Sequence, residues 1–147
     1  MPGAFNKGVL MKKIVLIFIT LSFQIAAADY VVVVNEKNPI TRITKHEIEQ
    51  ILLVNKTNWP SGKSISLINY QYDSDSADTI FKSFIGMTGL QAKKHYLTKV
   101  FNGVIQKQPA TLETSEEIIE AVGENVNGIG LVEKSSNSSK AKVLTIE

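Results

Sequence analysis

The side chains with the most chemistry to offer sit in residues 69–79, NYQYDSDSADT. They follow a short alternating strand at 64–68 and lead into a helix whose apolar positions are Ala77, Ile80, Phe81, Phe84 and Ile85. That spacing makes an amphipathic stripe. A Ser-rich turn at the start of a helix offers hydroxyls and free backbone N–H groups, with the helix dipole behind them, to an oxyanion. Ser74, Ser76 and Thr79 are the candidate donors. The same residues also suit plain N-capping by Ser74, Asp75 or Ser76. Asp75 and Asp78 would repel a dianion, and the turn holds no Arg to offset them.

Other reactive side chains are few. There is no Cys, which excludes a disulfide framework, Cys-ligated zinc and thiol catalysis. Only two His residues occur, His46 and His95. A metal site at His46 lacks partners, and a general base at His95 lacks a poised neighbour. No nucleophile–base pair, metal cluster or carboxylate dyad stands out, so the expectation is a non-enzyme without cofactor.

The chain of 147 residues carries a formal charge of +2. Met11-Lys12-Lys13, the apolar run 14–25 and Ala26-Ala27-Ala28 have the order of a secretory signal, with residues 1–10 as an upstream extension. The run is short for a bilayer span. Cleavage after Ala28 is expected, which divides the chain into 1–28 and a single domain at 29–147. Losing Lys7, Lys12 and Lys13 turns +2 into −1, so no basic patch argues for nucleic acid.

The elements that must position the turn read as β-α-β-α-α-α-β-β. Residues 30–34, YVVVV, form a continuous β-branched run, as in a strand covered on both faces. The polar cluster 35–39 ends it. Thr44 with Glu47, Thr88 with Gln91, and Thr114 with Glu117 are capping boxes. Their helices carry Ile48, Ile51 and Leu52; Leu90, Leu97, Val100 and Phe101; and Ile118, Ile119 and Val122 as buried positions. Gly86 stops the Ser74 helix. Trp59-Pro60-Ser61-Gly62 is a turn whose Trp is either a packed anchor or a rim residue. Residues 104–110 read as a loop. Asn127 takes a turn place that tolerates left-handed geometry, and Gly130 inside the strand after it implies close backbone approach. Residues 135–139 are a polar loop, and 142–146 a last strand.

Several of these segments resemble the phosphate-type solute-binding proteins of ABC transporters, including short single-domain members. The resemblance rests on Asn55-Lys56-Thr57-Asn58-Trp59 before the turn and on the first strand ending in Val34-Asn35 before Asn38-Pro39. Tyr96 with Phe101-Asn102-Gly103, and above all residues 126–133, VNGIGLVE, complete it. It implies an α/β fold, a single periplasmic-binding-protein-like (type II) lobe with a mixed, mostly parallel sheet flanked by helices. It implies a periplasmic, non-catalytic protein whose partners are phosphate or another small oxyanion and an ABC permease. An envelope interaction module that has lost its ligand is the other reading. In the family the turn after the strand grips the oxyanion. Here Ser76 falls on the family's Ser, Ala77 stands where Gly is usual, Asp78 where Thr is usual, and Tyr72 near where an Arg is expected. The resemblance covers 29–147, about half of a two-lobed protein, so binding is expected to be weak unless a partner closes the site. Ligands of such sheets sit beyond strand carboxyl ends. The expected ligand-binding set is therefore Asn35, Asn38, Ser74, Ser76, Thr79, Asn102 and Gly103.

Overall fold

The computed structural model describes residues 30–134 and 140–147. The expected leader and the polar loop 135–139 lie outside the described residues.

The β-branched run forms β1 (Tyr30–Asn35), with Val32 and Val34 fully buried. A short β2 (Arg42–Ile43) follows, and then α1 (Lys45–Leu52). The Trp59 turn leads to β3 (Ser66–Tyr70), which feeds α2 (Asp75–Ile85) and α3 (Gly89–Phe101). Next come β4 (Ala110–Leu112), α4 (Ser115–Glu124) and β5 (Gly128–Glu133). The chain closes with β6 (Ala141–Val143) and β7 (Thr145–Ile146). All three capping boxes form as the sequence predicts, and Gly86 ends α2 in the left-handed conformation at φ 67°.

The main sheet has the order β4-β3-β5-β1-β6. β3 runs parallel to β4 and to β5, while β1 is antiparallel to both β5 and β6. Four strands therefore point one way and β1 alone is reversed, as the mostly parallel expectation has it. β2 and β7 form a separate parallel pair, tied at the surface by Arg42 to Glu147 at 2.7 Å.

Helix α4 covers one face. Asn35 donates to the Val122 and Gly123 carbonyls of α4, each at 3.0 Å. Ile118 of α4 sits where Gly130 presents bare backbone; a Cβ there would lie 2.6 Å from the Ile118 Cγ2. This is the close approach that a mid-strand glycine implies. By strand alternation Val32, Val34, Leu67, Ile129 and Leu131 point to the other face. They share one core with Ile48, Ile51 and Leu52 of α1 and Ala77, Ile80 and Phe81 of α2. Among the described residues no helix is long and apolar enough to cross a membrane.

Four local expectations are corrected. Within 104–110, Ala110 pairs with Ile68 and starts β4, because β3 offers an open ladder. The last strand breaks at Leu144, which is buried and donates its N–H to the Val32 carbonyl at 2.9 Å. Asn127 does not adopt positive φ; among the described residues Val54, at 53°, is the non-glycine that does. Finally, α3 does not bury Leu90, Leu97 or Phe101, which are 61%, 46% and 91% exposed. Its buried side is Gly89, Ala92 and Tyr96. Small residues win there because α3 lies against backbone: a Cβ on Gly89 would stand 1.9 Å from the Tyr72 carbonyl oxygen.

Candidate functional site at the carboxyl end of β3

β3 and β4 are parallel, so their carboxyl ends open on the same edge of the sheet. Each leads into a helix, α2 and α4, so two helix N-termini face that edge, one from either side of the sheet. Ser74 is the N-cap of α2: its Oγ accepts from the Ala77 N–H at 3.1 Å and donates to the Gln71 carbonyl at 2.6 Å. This leaves the N–H groups of Asp75 and Ser76, the first two of the helix, without intrahelical acceptors. Among the described residues the half-buried Ser76 makes no side-chain hydrogen bond. The turn thus presents two amide donors and one hydroxyl, with the positive end of the α2 dipole behind them.

The carboxylates nearby differ in their commitments. Asp78 accepts from the Gly89 N–H at 2.7 Å and lies 3.8 Å from Lys82. It ties the first turn of α2 to the start of α3, so the Asp found where the resemblance leads one to expect Thr has a structural task. Asp75 is exposed beside the free amides and opposes an anion there.

Beneath the turn lies a buried polar–aromatic cluster. Tyr72, Phe81 and Tyr96 pack with ring centroids 5.9–6.4 Å apart. Burial pushes the Tyr72 phenol up to about 12 and raises that of Tyr96 further. Asn69 points among them, 6% exposed, its side chain facing the Tyr72 and Tyr96 phenols. Tyr70 lies on the other face, its hydroxyl 2.5 Å from the Ser115 Oγ at the start of α4. Asn69 is absent from the expected ligand set; its signal was a polar side chain on an inward position of an otherwise apolar strand.

The seven expected ligand residues do not converge. Ser74, Ser76 and Thr79 share the α2 turn, but Thr79 donates back to the Asp75 carbonyl at 2.9 Å. Asn35 ends the reversed strand and therefore sits where β3 and β5 begin, at the opposite end of the sheet. Its amide is spent on α4, and its Oδ1 accepts from the Lys37 N–H at 2.9 Å. Asn38 follows it there, buried and accepting from the Ile40 N–H at 3.1 Å. Asn102 and Gly103 close the far end of α3, with Gly103 at φ 72°. Trp59 is a packed anchor, 6% exposed, donating its indole N–H to the Asn127 carbonyl at 3.1 Å. His46 is exposed, 3.9 Å from Glu49. His95 has its Nε2 2.9 Å from the Leu53 carbonyl, at the end of α1. Among the described residues no group of three His, Asp or Glu gathers as a metal site would.

No family model matches the sequence, and no curated protein does. Solved structures match in fold. A putative phosphate ABC transporter substrate-binding protein from Clostridium perfringens, solved with bound phosphate, superposes at a TM-score of 0.62 and 16% identity. PstS from Borrelia burgdorferi follows at 0.58 and 16%, and an ABC-type phosphate transport receptor from Vibrio cholerae at 0.53 and 16%. Each match covers 80% of this chain but only 44%, 47% and 45% of the respective neighbour. The chain thus spans less than half the length of the proteins whose fold it shares. The resemblance read from the sequence is borne out as a likeness of fold.

Proposed function

We propose that this chain, which carries one lobe's worth of a substrate-binding-protein fold, is an exported, non-catalytic binding protein for a small oxyanion such as phosphate. It takes the anion at the α2 turn and works in the periplasm with an ABC permease. The fold likeness supports this reading, including a neighbour solved with phosphate. The observation that carries it is the first turn of α2, whose Asp75 and Ser76 N–H groups and Ser76 hydroxyl have no partner among the described residues, at the carboxyl end of a parallel strand. Of the expected residues, Ser76 acts as donor, Ser74 shapes the turn, and Asn35, Asn38, Thr79, Asn102 and Gly103 stay structural.

Three neutral hydrogen bonds, each contributing ~0.5–1.5 kcal/mol net and opposed by Asp75, give affinity in the high micromolar to millimolar range. Calorimetry with phosphate on the wild type and on Ser76→Ala tests this. Among the described residues Ser76 makes no side-chain bond, so the variant should keep its fold, and its affinity should drop several-fold. No heat from either protein at several millimolar phosphate would abandon the oxyanion reading in favour of a protein-interaction role.

A further inference from the structure

A cavity lies at the end of the sheet opposite the α2 turn, where β3 and β4 begin. It is a cleft of about 430 Å³ between the end of α1, the start of β3 and the loop from α3 to β4. That volume is in the range of small-molecule sites, roughly 300–1,000 Å³. The buried Ile51, Val54 and Leu67 contribute apolar wall, and the half-buried Ile65 and Ile105 add to it. Two lysines, Lys56 and Lys107, stand among the lining residues, and no Asp or Glu does. Lys56 is already bonded to Glu47 at 2.8 Å, so its charge is largely offset. Lys107 is exposed and has no ion-pair partner among the described residues.

One wall is built at a conformational cost. Val54 adopts φ 53°, a left-handed geometry that disfavours a β-branched residue. It follows the end of α1, where the Asn55 and Lys56 N–H groups both turn back to the Gln50 carbonyl at 2.9 and 3.1 Å. Glycine is the ordinary occupant of such a helix-ending position. A valine there gives the cleft an apolar side chain that glycine would not. Strained backbone of this kind concentrates at binding and catalytic sites.

We propose that this cleft binds a small organic anion with an apolar body, of the aryl or short alkyl carboxylate class. The apolar part lies against Val54, Ile51 and Leu67, and the carboxylate meets Lys107. This site is separate from the α2 turn and does not depend on the reading given to that turn.

Amide-resolved NMR on the full chain tests it, with phenylacetate and its neutral isostere phenylacetamide as probes. Phenylacetate should shift the amides of residues 51–57, 64–67 and 104–110, saturating in the millimolar range, and phenylacetamide should bind several-fold more weakly. Lys107→Glu should abolish the preference for the acid. Val54→Gly should weaken phenylacetate binding several-fold with little change in the melting temperature, because relief of the left-handed strain offsets the buried surface it removes, a combination that a purely structural Val54 would not show. Equal binding of acid and amide, shifts confined to other surfaces, or no shifts at all would overturn the proposal.

Discussion

Tyr96 joins three elements through one side chain. It is fully buried, packs on Tyr72 and Phe81, and donates its hydroxyl to the Leu52 carbonyl at 2.7 Å. That carbonyl lies in the last turn of α1, where helical acceptors lack intrahelical donors. Tyr96→Phe keeps the ring but orphans this oxygen, so urea titration should show a loss of about 1–2 kcal/mol. Burial raises the phenols of both Tyr96 and Tyr72 above their ordinary value of 10.0. The protonated forms are favoured by folding, so this contribution is complete below pH 10 and lost as pH rises. Stability should therefore fall between pH 10 and about 12 for Tyr72. The slope should reach up to about 1.4 kcal/mol per pH unit per phenol. Tyr96→Phe should make that fall shallower, and a profile unchanged by the variant would refute the assignment. Trp59 is the other single-residue anchor. Its burial and its bond to Asn127 predict that Trp59→Ala costs ~3–5 kcal/mol, read from denaturant midpoints.

α3 inverts the usual logic of a packed helix. Its inward side is narrow and built of small residues, so that Gly89 can meet the Tyr72 carbonyl and Tyr96 can reach α1. Gly89→Ala must push the start of α3 away from that carbonyl and strain its bond to Asp78. A loss above roughly 2 kcal/mol is expected, an overpacking effect. The outward side carries Leu97 and Phe101, whose exposure means that Leu97→Gln and Phe101→Ser should each change stability by less than ~0.5 kcal/mol. A large loss for either would show that the face is covered in solution.

One core links β1, β3 and β5 with residues from all four helices. Its members come from distant parts of the chain, and the reversed β1 sits between β5 and β6. Such a core should unfold as one cooperative unit. Trp59 fluorescence and far-ultraviolet circular dichroism should then give coincident urea transitions. Separate midpoints would show that the Trp59 turn opens independently of the sheet.

Local chemistry was legible in the sequence. The three capping boxes, the Gly86 stop, the stripes of α1, α2 and α4 and the close approach at Gly130 all depend on contacts within a few residues or on a side chain's absence. The overall fold was legible through the motif at 126–133 and its neighbours. What the sequence could not decide depends on which chain segments become neighbours. Asn35 and Ser74 read alike as polar residues after a strand, but β1 is reversed, so the two lie at opposite ends of the sheet. Leu97 and Phe101 read as core because apolar residues usually are, whereas the backbone facing α3 admitted only glycine and alanine beside Tyr96. Asp78 read as a charge opposing a ligand until the fold brought the Gly89 N–H to it. Spacing along a chain sets which face of an element a residue occupies; only tertiary packing sets what that face meets.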